Sequence, residues 1–302
     1  MPKLPTLLVA ALISFGLRAW GQDDTAAQVA AQKLVGSLQY KHGDIPIQNG
    51  LATLNVPAKF KYLDAADAKK VLVQLWGNPP EQADDVIGLL MPSDVGPLDT
   101  DCWVVTVSYK NDGYVADNDA SKINYDDLLK KMQKAVSDSN KQRVQKGYPA
   151  IQLVGWAAPP RYDAATHKLY WAKEIKFGGQ PEDTLNYEIR ILGRRGVLDL
   201  DAVAGMDQLP EIEQRTPDIL SMVNFDQGNR YADFNPKVDK VAKYGIAALV
   251  AGGAAGVAAK LGLFKLLWVS ILALKKFIIV AIVAIAAFFK KIFRSRSSGT
   301  PS

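Results

Sequence analysis

The sequence predicts an α+β body, an antiparallel β-meander with flanking helices, followed by a C-terminal transmembrane helix or helical hairpin. Three observations carry this. Leu185, Tyr187, Ile189 and Ile191 alternate with Asn186, Glu188 and Arg190, and Leu198, Leu200 and Ala202 repeat the alternation after the turn Gly193-Arg194-Arg195-Gly196. That is the period of strands joined by a short hairpin. Helix caps and stops bracket several other segments. The last sixty residues hold nine lysines and arginines and no acid, and the apolar runs between those charges are too oily for a soluble surface.

Taken in order, Lys3, the apolar stretch Leu7–Leu17 and the small Ala19 and Gly21 read as a secretory signal over residues 1–21, with Gln22 the first mature residue. The competing reading is an uncleaved membrane helix over Pro5–Trp20, a stretch only slightly short of a span. Residues 22–242 form the exported body, long enough for a real core, and Thr25–Leu38 reads as its first helix. Asp64 is an N-cap with Asp67 three residues on, and Val71, Leu72, Leu75 and Trp76 share a face before Gly77 and Pro79 stop the helix. Asn124 caps a longer helix with Asp126 and Asp127 in its first turn; Gly147 and Pro149 end it. A third helical stretch, Pro210–Val223, is expected to restart at Thr216-Pro217-Asp218. Val86–Met91, Trp103–Lys110 and Leu169–Phe177 supply further strands. Successive strands with glycine turns predict a meander with one solvated face and helices on the other.

Charge divides the chain. Eleven of the 36 basic residues lie in the two ends and all 31 acids in residues 22–242, so the body carries −6 although the whole is +5. The basic excess therefore matches lipid headgroups rather than a nucleic-acid stripe, and nucleic-acid binding is excluded. Within the anchor, residues 243–293, Tyr244–Phe264 crosses the bilayer and Leu274–Phe289 returns, with Lys275, Lys276 and Lys290, Lys291 reaching the interfaces. One span over Leu266–Phe289 would bury two lysines at ~2.5–3.5 kcal/mol each. The hairpin leaves the basic tail, residues 294–302, outside; a single span with an interfacial remainder obeys the positive-inside tendency better, and the hairpin is favoured over it. Gly252 and Gly256 form a small-residue step that suits self-association, set against a small-residue helix with no partner.

No catalytic signature emerges. The two histidines, His42 and His167, are far apart, and no nucleophile elbow occurs. His167 reads as a solvated turn residue between Tyr162 and the strand from Leu169; as catalytic candidates only His167 and the acid pair Asp163 and Glu174 come forward. Two histidines and one cysteine, scattered, exclude a usual zinc site, and no cofactor or metal is expected. Cys102 reads as a buried strand thiol. The stretch Asp112–Asp119 fails as a calcium loop, because Lys122 and Leu128 stand where glycine and glutamate are needed; it reads as a polar loop feeding the Asn124 cap. Two segments mix aromatic and charged groups as recognition surfaces do: Trp156, Arg161, Tyr162, Trp171 and Lys173 in one, Arg230, Tyr231 and Asp233 in the other. Ordinary strand packing with ion pairs is the competing reading. Arg194 and Arg195, at a hairpin tip, suit either anionic headgroups or a solvated turn.

The stretches LVGWAAPPRYDAATHKLYWAKEIKFGG (153–179), LNYEIRILGRRGVLDLDAVAGMDQLPEI (185–212) and NRYADFNPKVDKVAKYGIAALVAGG (229–253), with WGNPP at 76–80, resemble the bacterial family of uncharacterised predicted membrane-anchored proteins, domain of unknown function 2167. The resemblance covers nearly the whole mature chain and implies a Gram-negative envelope protein with no catalytic residues to transfer. The ending, a meander followed by a helix, is also similar in pattern to the sandwich fold of the photosystem-II P-protein, which implies nothing about function.

The expectation is a periplasm-facing body held at the inner membrane. It would act as a non-enzymatic binding module on membrane lipid and an envelope or membrane protein partner. The alternatives are a membrane-tethered hydrolase of an envelope substrate and an accessory subunit of a membrane transporter.

Overall fold

The computed structural model describes residues 20–78, 80–145 and 149–252. Residues up to Leu38 form one unit, built on α1 (Trp20–Gly36), whose start lies ahead of the Gly21–Gln22 junction and whose last turn carries Lys33. The second unit, from Gln39, opens with β1 (Gly43–Ile47), β2 (Ala52–Val56) and β3 (Phe60–Asp64). There follow α2 (Ala65–Lys69), β4 (Val86–Pro92), β5 (Val104–Lys110) and α3 (Tyr125–Gln145). The meander β6 (Ile151–Asp163), β7 (Lys168–Phe177), β8 (Thr184–Leu192) and β9 (Val197–Gly205) comes next, then α4 (Leu209–Met222), β10 (Val223–Phe225) and α5 (Ile246–Ala251).

Seven strands pair antiparallel in the order β3-β4-β5-β9-β8-β7-β6, and β1-β2-β10 make a smaller sheet. The expected meander is β7 to β9, which β6, not foreseen as a strand, extends; β5 joins it through β9, because α3 carries the chain from the centre of the sheet to its far edge. One face of the large sheet packs under the small sheet and α4. There Leu54 and Val56, Ile212 and Ile219, and Val223 meet Leu185, Ile189, Leu198 and Leu200. Against the other face, Met132 and Val136 of α3 cover Ile151, Leu153, Ile175 and Phe177, while Ile246, Leu249 and Val250 of α5 cover Leu169, Trp171, Leu192 and Val197.

The expected solvated face is therefore wrong. Every residue of β8 is buried, including Asn186, Glu188 and Arg190 at 2–3% exposure. Period two shows that β8 has a polar side, but it does not distinguish water from protein on that side.

The helix caps appear where the sequence puts them. Asp64 accepts from the amides of Ala66 (3.1 Å) and Asp67 (3.2 Å), and Asn124 from those of Asp126 and Asp127 (3.1 Å each). Beyond α2 the helix widens to a π-turn over Lys70–Leu75 and stops at Trp76. The expected restart at Pro217 is absent: α4 runs through it unbroken, and the Thr216 hydroxyl donates to Ile212 O at 2.7 Å. The buried Lys168 ammonium donates to Leu220 O and, at 3.0 Å, to Val223 O, closing the carbonyl end of α4. At the β6 edge, Asn140 both donates to Ile151 O (2.8 Å) and accepts from Ile151 N (2.9 Å), and Gln133 donates to Val154 O (3.0 Å). Helix α3 thus takes the place of an eighth strand.

The first turns of the stretch read as a bilayer span belong to this packed body. Helix α5 ends at Gly252 with φ 113°, a left-handed C-cap. Among the described residues no helix is long and apolar enough to cross a membrane. Gly256, Lys275, Lys276, Lys290 and Lys291, the remainder of the first span and all of the returning one lie outside the described residues, as does most of the signal segment.

Candidate functional site

The β6–β7 hairpin turn is set by Asp163, whose carboxylate accepts from Ala165 N (2.9 Å) and Thr166 Oγ1 (2.7 Å). The turn finishes on His167 in the left-handed region, φ 53°. The imidazole lies on the ring of Tyr231, centroids 4.0 Å apart. Tyr231 stacks in turn on Tyr114 (4.4 Å), and Tyr114 on Phe234 (3.9 Å). Four rings from three separate stretches of chain form one ladder. Each stretch is held by polar contacts behind the rings. Asp233 accepts from Gly228 N (2.8 Å) and Arg230 N (3.0 Å), and the Tyr231 hydroxyl donates to Val115 O (2.9 Å). Tyr114 is tied by its backbone, which donates to Lys240 O and accepts from Ala242 N, both at 2.8 Å. Gly113 before it has φ 107°, and a Cβ there would sit 2.6 Å from Lys240 O, so only glycine fits.

A polar chain runs beside the ladder. The Tyr162 hydroxyl donates to Asp117 Oδ2 at 2.6 Å and lies 3.1 Å from His167 Nδ1, which is itself 3.5 Å from the same carboxylate oxygen. Since the tyrosine proton goes to Asp117, its oxygen is the acceptor for His167. Donor counting puts the imidazole proton on Nδ1 and leaves Nε2 with a free lone pair. Burial and then the Asp117 hydrogen bond raise the Tyr162 pKa. Burial opposes charge on Asp117, but hydrogen bonding, from Tyr162 first, outweighs it and holds this carboxyl below its usual range. Tyr162 stays protonated and Asp117 ionised at neutral pH. His167 is thus no solvated turn residue: its side chain is 28% exposed and its ring is stacked.

The structure sorts the remaining candidates. Tyr162, His167 and Tyr231 come together, although they were read from two distant segments. Trp171 is fully buried, and Lys173 is buried against Glu188 at 2.7 Å, because the odd positions of β7 point under the helices. Neither is available to a surface partner. Trp156 is half-buried and donates its Nε1 to Tyr125 O at 3.3 Å. Arg161 is exposed, and Arg230 is exposed with its guanidinium paired to Asp233 at 3.1 Å. Asp163 and Glu174 are not brought together. Asp163 faces Lys168 across the hairpin and Glu174 faces Gly155, about six residues or ~20 Å along the strand. The neighbour of Glu174 is Asp183, which adds to burial in raising its pKa. Arg194 does not reach for headgroups; it is paired with Asp239 at 2.7 Å and with Gly228 O at 3.0 Å.

Three ring and acid partners were missed. Tyr114 and Asp117 sit in the stretch read as a polar loop, and Phe234 in a segment whose charged residues drew the attention. The loop has a larger role than feeding the Asn124 cap. Asp112 accepts from the Tyr244 hydroxyl (2.7 Å), and Asp119 accepts from Ile246 N (3.2 Å) and Ala247 N (3.3 Å), capping α5 from outside.

A second titratable cluster lies inside the sheet. Arg190 reaches Asp199 (Nε, 3.1 Å) and Asp201 (Nη1, 2.6 Å), Lys110 pairs with Asp199, and Lys173 with Glu188. Three cations meet three carboxylates, and the Arg190 guanidinium lies 5.2 Å over the Trp171 ring. This arrangement balances its own charge, although Glu188 Oε2 and Asp199 Oδ1 are buried without a hydrogen-bond partner among the described residues, and Lys110, Arg190, Asp199 and Tyr244 line a small cavity. Among the described residues no group of histidines, cysteines and acids is arranged to hold a metal ion.

A family model described as a protein of unknown function (DUF2167) matches residues 39–286. No curated protein matches the chain. Among solved structures, the solution structure of cyanobacterial PsbP (CyanoP) from Synechocystis sp. PCC 6803 matches 63% of this chain and 95% of its own, at 12% identity and a TM-score of 0.34, a likeness too slight to argue from.

Proposed function

The chain belongs to the DUF2167 family of proteins of unknown function, and from that premise we propose that it is a membrane-anchored module on the periplasmic side of a Gram-negative inner membrane that binds an envelope protein partner. The observation that carries this reading is the braced ladder Phe234–Tyr114–Tyr231–His167, half-exposed at both end rings and flanked by the exposed Arg230; Arg161, paired with Tyr170, is on the other face of the sheet. Pre-ordered aromatic rings beside arginine provide contact area at little entropic cost, which is what binding surfaces favour. The charges of β5 and β7–β9 are largely taken up by one another.

The test is photo-cross-linking in living cells with p-benzoylphenylalanine at position 230 of the full chain. One dominant protein adduct, lost in Phe234→Ala, supports the module. Absence of any protein adduct there overturns it.

One observation favours a second reading, a membrane-tethered hydrolase. The chain Asp117–Tyr162–His167 leaves Nε2 of the histidine free to act as a general base. Envelope turnover that is lost in His167→Ala while the cross-linked adduct survives would select it. The accessory-subunit alternative rests on the Gly252/Gly256 step, half of which lies outside the described residues.

A further inference from the structure

Residues Lys237–Lys243 form a strap between the aromatic ladder and α5, entered through a turn at 236–238 and bent at Asp239. Its only acid, Asp239, is turned inward. The Asp239 side chain is 3% exposed and accepts from Arg194 Nε (2.7 Å), Arg195 Nε (3.4 Å) and Asn235 N (2.7 Å). Ala242 is also inward, buried, with its amide bonded to Tyr114 O. With positions 239 and 242 fixed inside, the strap presents Lys237, Lys240 and Lys243 together with Val238 (72% exposed) and Val241 (50%). Five large apolar side chains are exposed among the described residues, and two of them stand three positions apart here. Single exposed valines need no explanation, but a pair held rigidly among three lysines, with Arg195 also exposed alongside, does. None of the three lysines makes a salt bridge with an acid of the described residues, in a body whose net charge is −6.

We propose that the strap Lys237–Lys243 is a docking surface for an anionic phospholipid bilayer, with Val238 and Val241 entering the headgroup layer and the lysines lying over phosphates. This rests on the membrane attachment proposed above. What points to lipid is the chain that follows: within ten residues of Lys243 it passes to a stretch of fifty residues with long apolar runs, eight further basic groups and no acid. A surface that is basic and apolar at the root of such a segment complements anionic headgroups, whereas the acidic remainder of the body is repelled by them. The docked strap would fix the orientation of the body and hold the ladder at a set height above the bilayer, rather than leaving it to swing.

The test uses the full chain reconstituted in phosphatidylcholine vesicles with or without phosphatidylglycerol. A single environment-sensitive fluorophore is placed by Val238→Cys or Val241→Cys; the native Cys102 is fully buried and stays unlabelled. Leu98→Cys is the reference, since the loop after β4 lies at the opposite end of β5 from Lys110. Brominated lipids should quench the label at 238 and 241 several-fold more than at 98. That excess should fall without phosphatidylglycerol and in the triple variant Lys237→Gln, Lys240→Gln, Lys243→Gln, each lysine being worth about fivefold in the docked-to-undocked ratio. Quenching at 238 and 241 no greater than at 98, in protein that floats with the vesicles and resists alkaline carbonate, overturns the docking surface alone. Protein that does not float with the vesicles overturns the attachment and the docking surface with it.

Discussion

Arg190 and Asp199 stand directly opposite each other on β8 and β9, with Nε 3.1 Å from Oδ1 and both residues 2% exposed. An ion pair there costs desolvation on both sides and is held by its geometry and by Lys110, Asp201 and Glu188 around it. Removing one partner leaves the others charged and buried. Arg190→Met is expected to lower unfolding free energy by about 3–5 kcal/mol, measured by urea denaturation of the full chain in detergent. A loss under 1 kcal/mol would show that water reaches this row.

The same row makes stability depend on pH in an unusual sense. Burial, against the pull of Arg190, pushes the Asp201 carboxyl up to about 6. The unfolded chain loses that proton near pH 4, so the folded state binds it more tightly. Stability should therefore decline as pH rises from about 4 to about 6, by up to about 3 kcal/mol, then level off. Asp201→Asn should remove that slope from a series of thermal midpoints.

Asp239 has the opposite sign. Hydrogen bonding from Arg194, then from the Asn235 amide and Arg195, holds it down to about 2 against the cost of burial. Its contribution is complete above about pH 4 and is lost as pH falls toward 2. Asp239→Asn should be less stable than wild type at pH 6 and equal to it near pH 2, read from the same midpoints.

Asp119 caps α5 across 127 residues of chain. Asp119→Ala should cost about 1 kcal/mol, the usual value for a lost N-cap. The amides of Ile246 and Ala247 should exchange faster with deuterium, while those of β8 stay protected.

Asn140→Ala strips the N–H and C=O of Ile151 of their shared partner at the edge of the sheet. The expected cost is about 1–3 kcal/mol, and the uncovered edge should pair with a second copy. Sedimentation velocity at rising concentration would detect the dimer; a strictly monomeric variant contradicts the role given to α3.

What could be read from the residues was local. The alternation at 185–191, the glycine turn at 193–196 and the caps at Asp64 and Asn124 each depend on neighbours within a few positions, and each is present. What could not be read was register. The polar side of β8 looks identical whether water or Asp199 and Lys173 satisfies it, because those partners come from other strands. Asp117 was weighed only as a calcium ligand, since Tyr162, its real partner, lies 45 residues away. Tyr114 and Phe234 carried no pattern that would announce stacking. Trp171 and Lys173 had the composition of a recognition surface and were misjudged, because composition does not say which way a strand faces. The readings of the two ends of the chain rest on composition alone, and the two glycines at 252 and 256 were read as a pair although the first of them closes a helix that belongs to the body.

Tyr114 belongs to two structures at once. Its ring is the second rung of the ladder, and its backbone holds the strap through Lys240 and Ala242, four residues ahead of the helix capped by Asp119. The ladder and the root of the apolar segment are therefore geared, with no free swivel between them. Displacing the Tyr114 ring therefore also strains the two backbone hydrogen bonds that fix the strap ahead of α5.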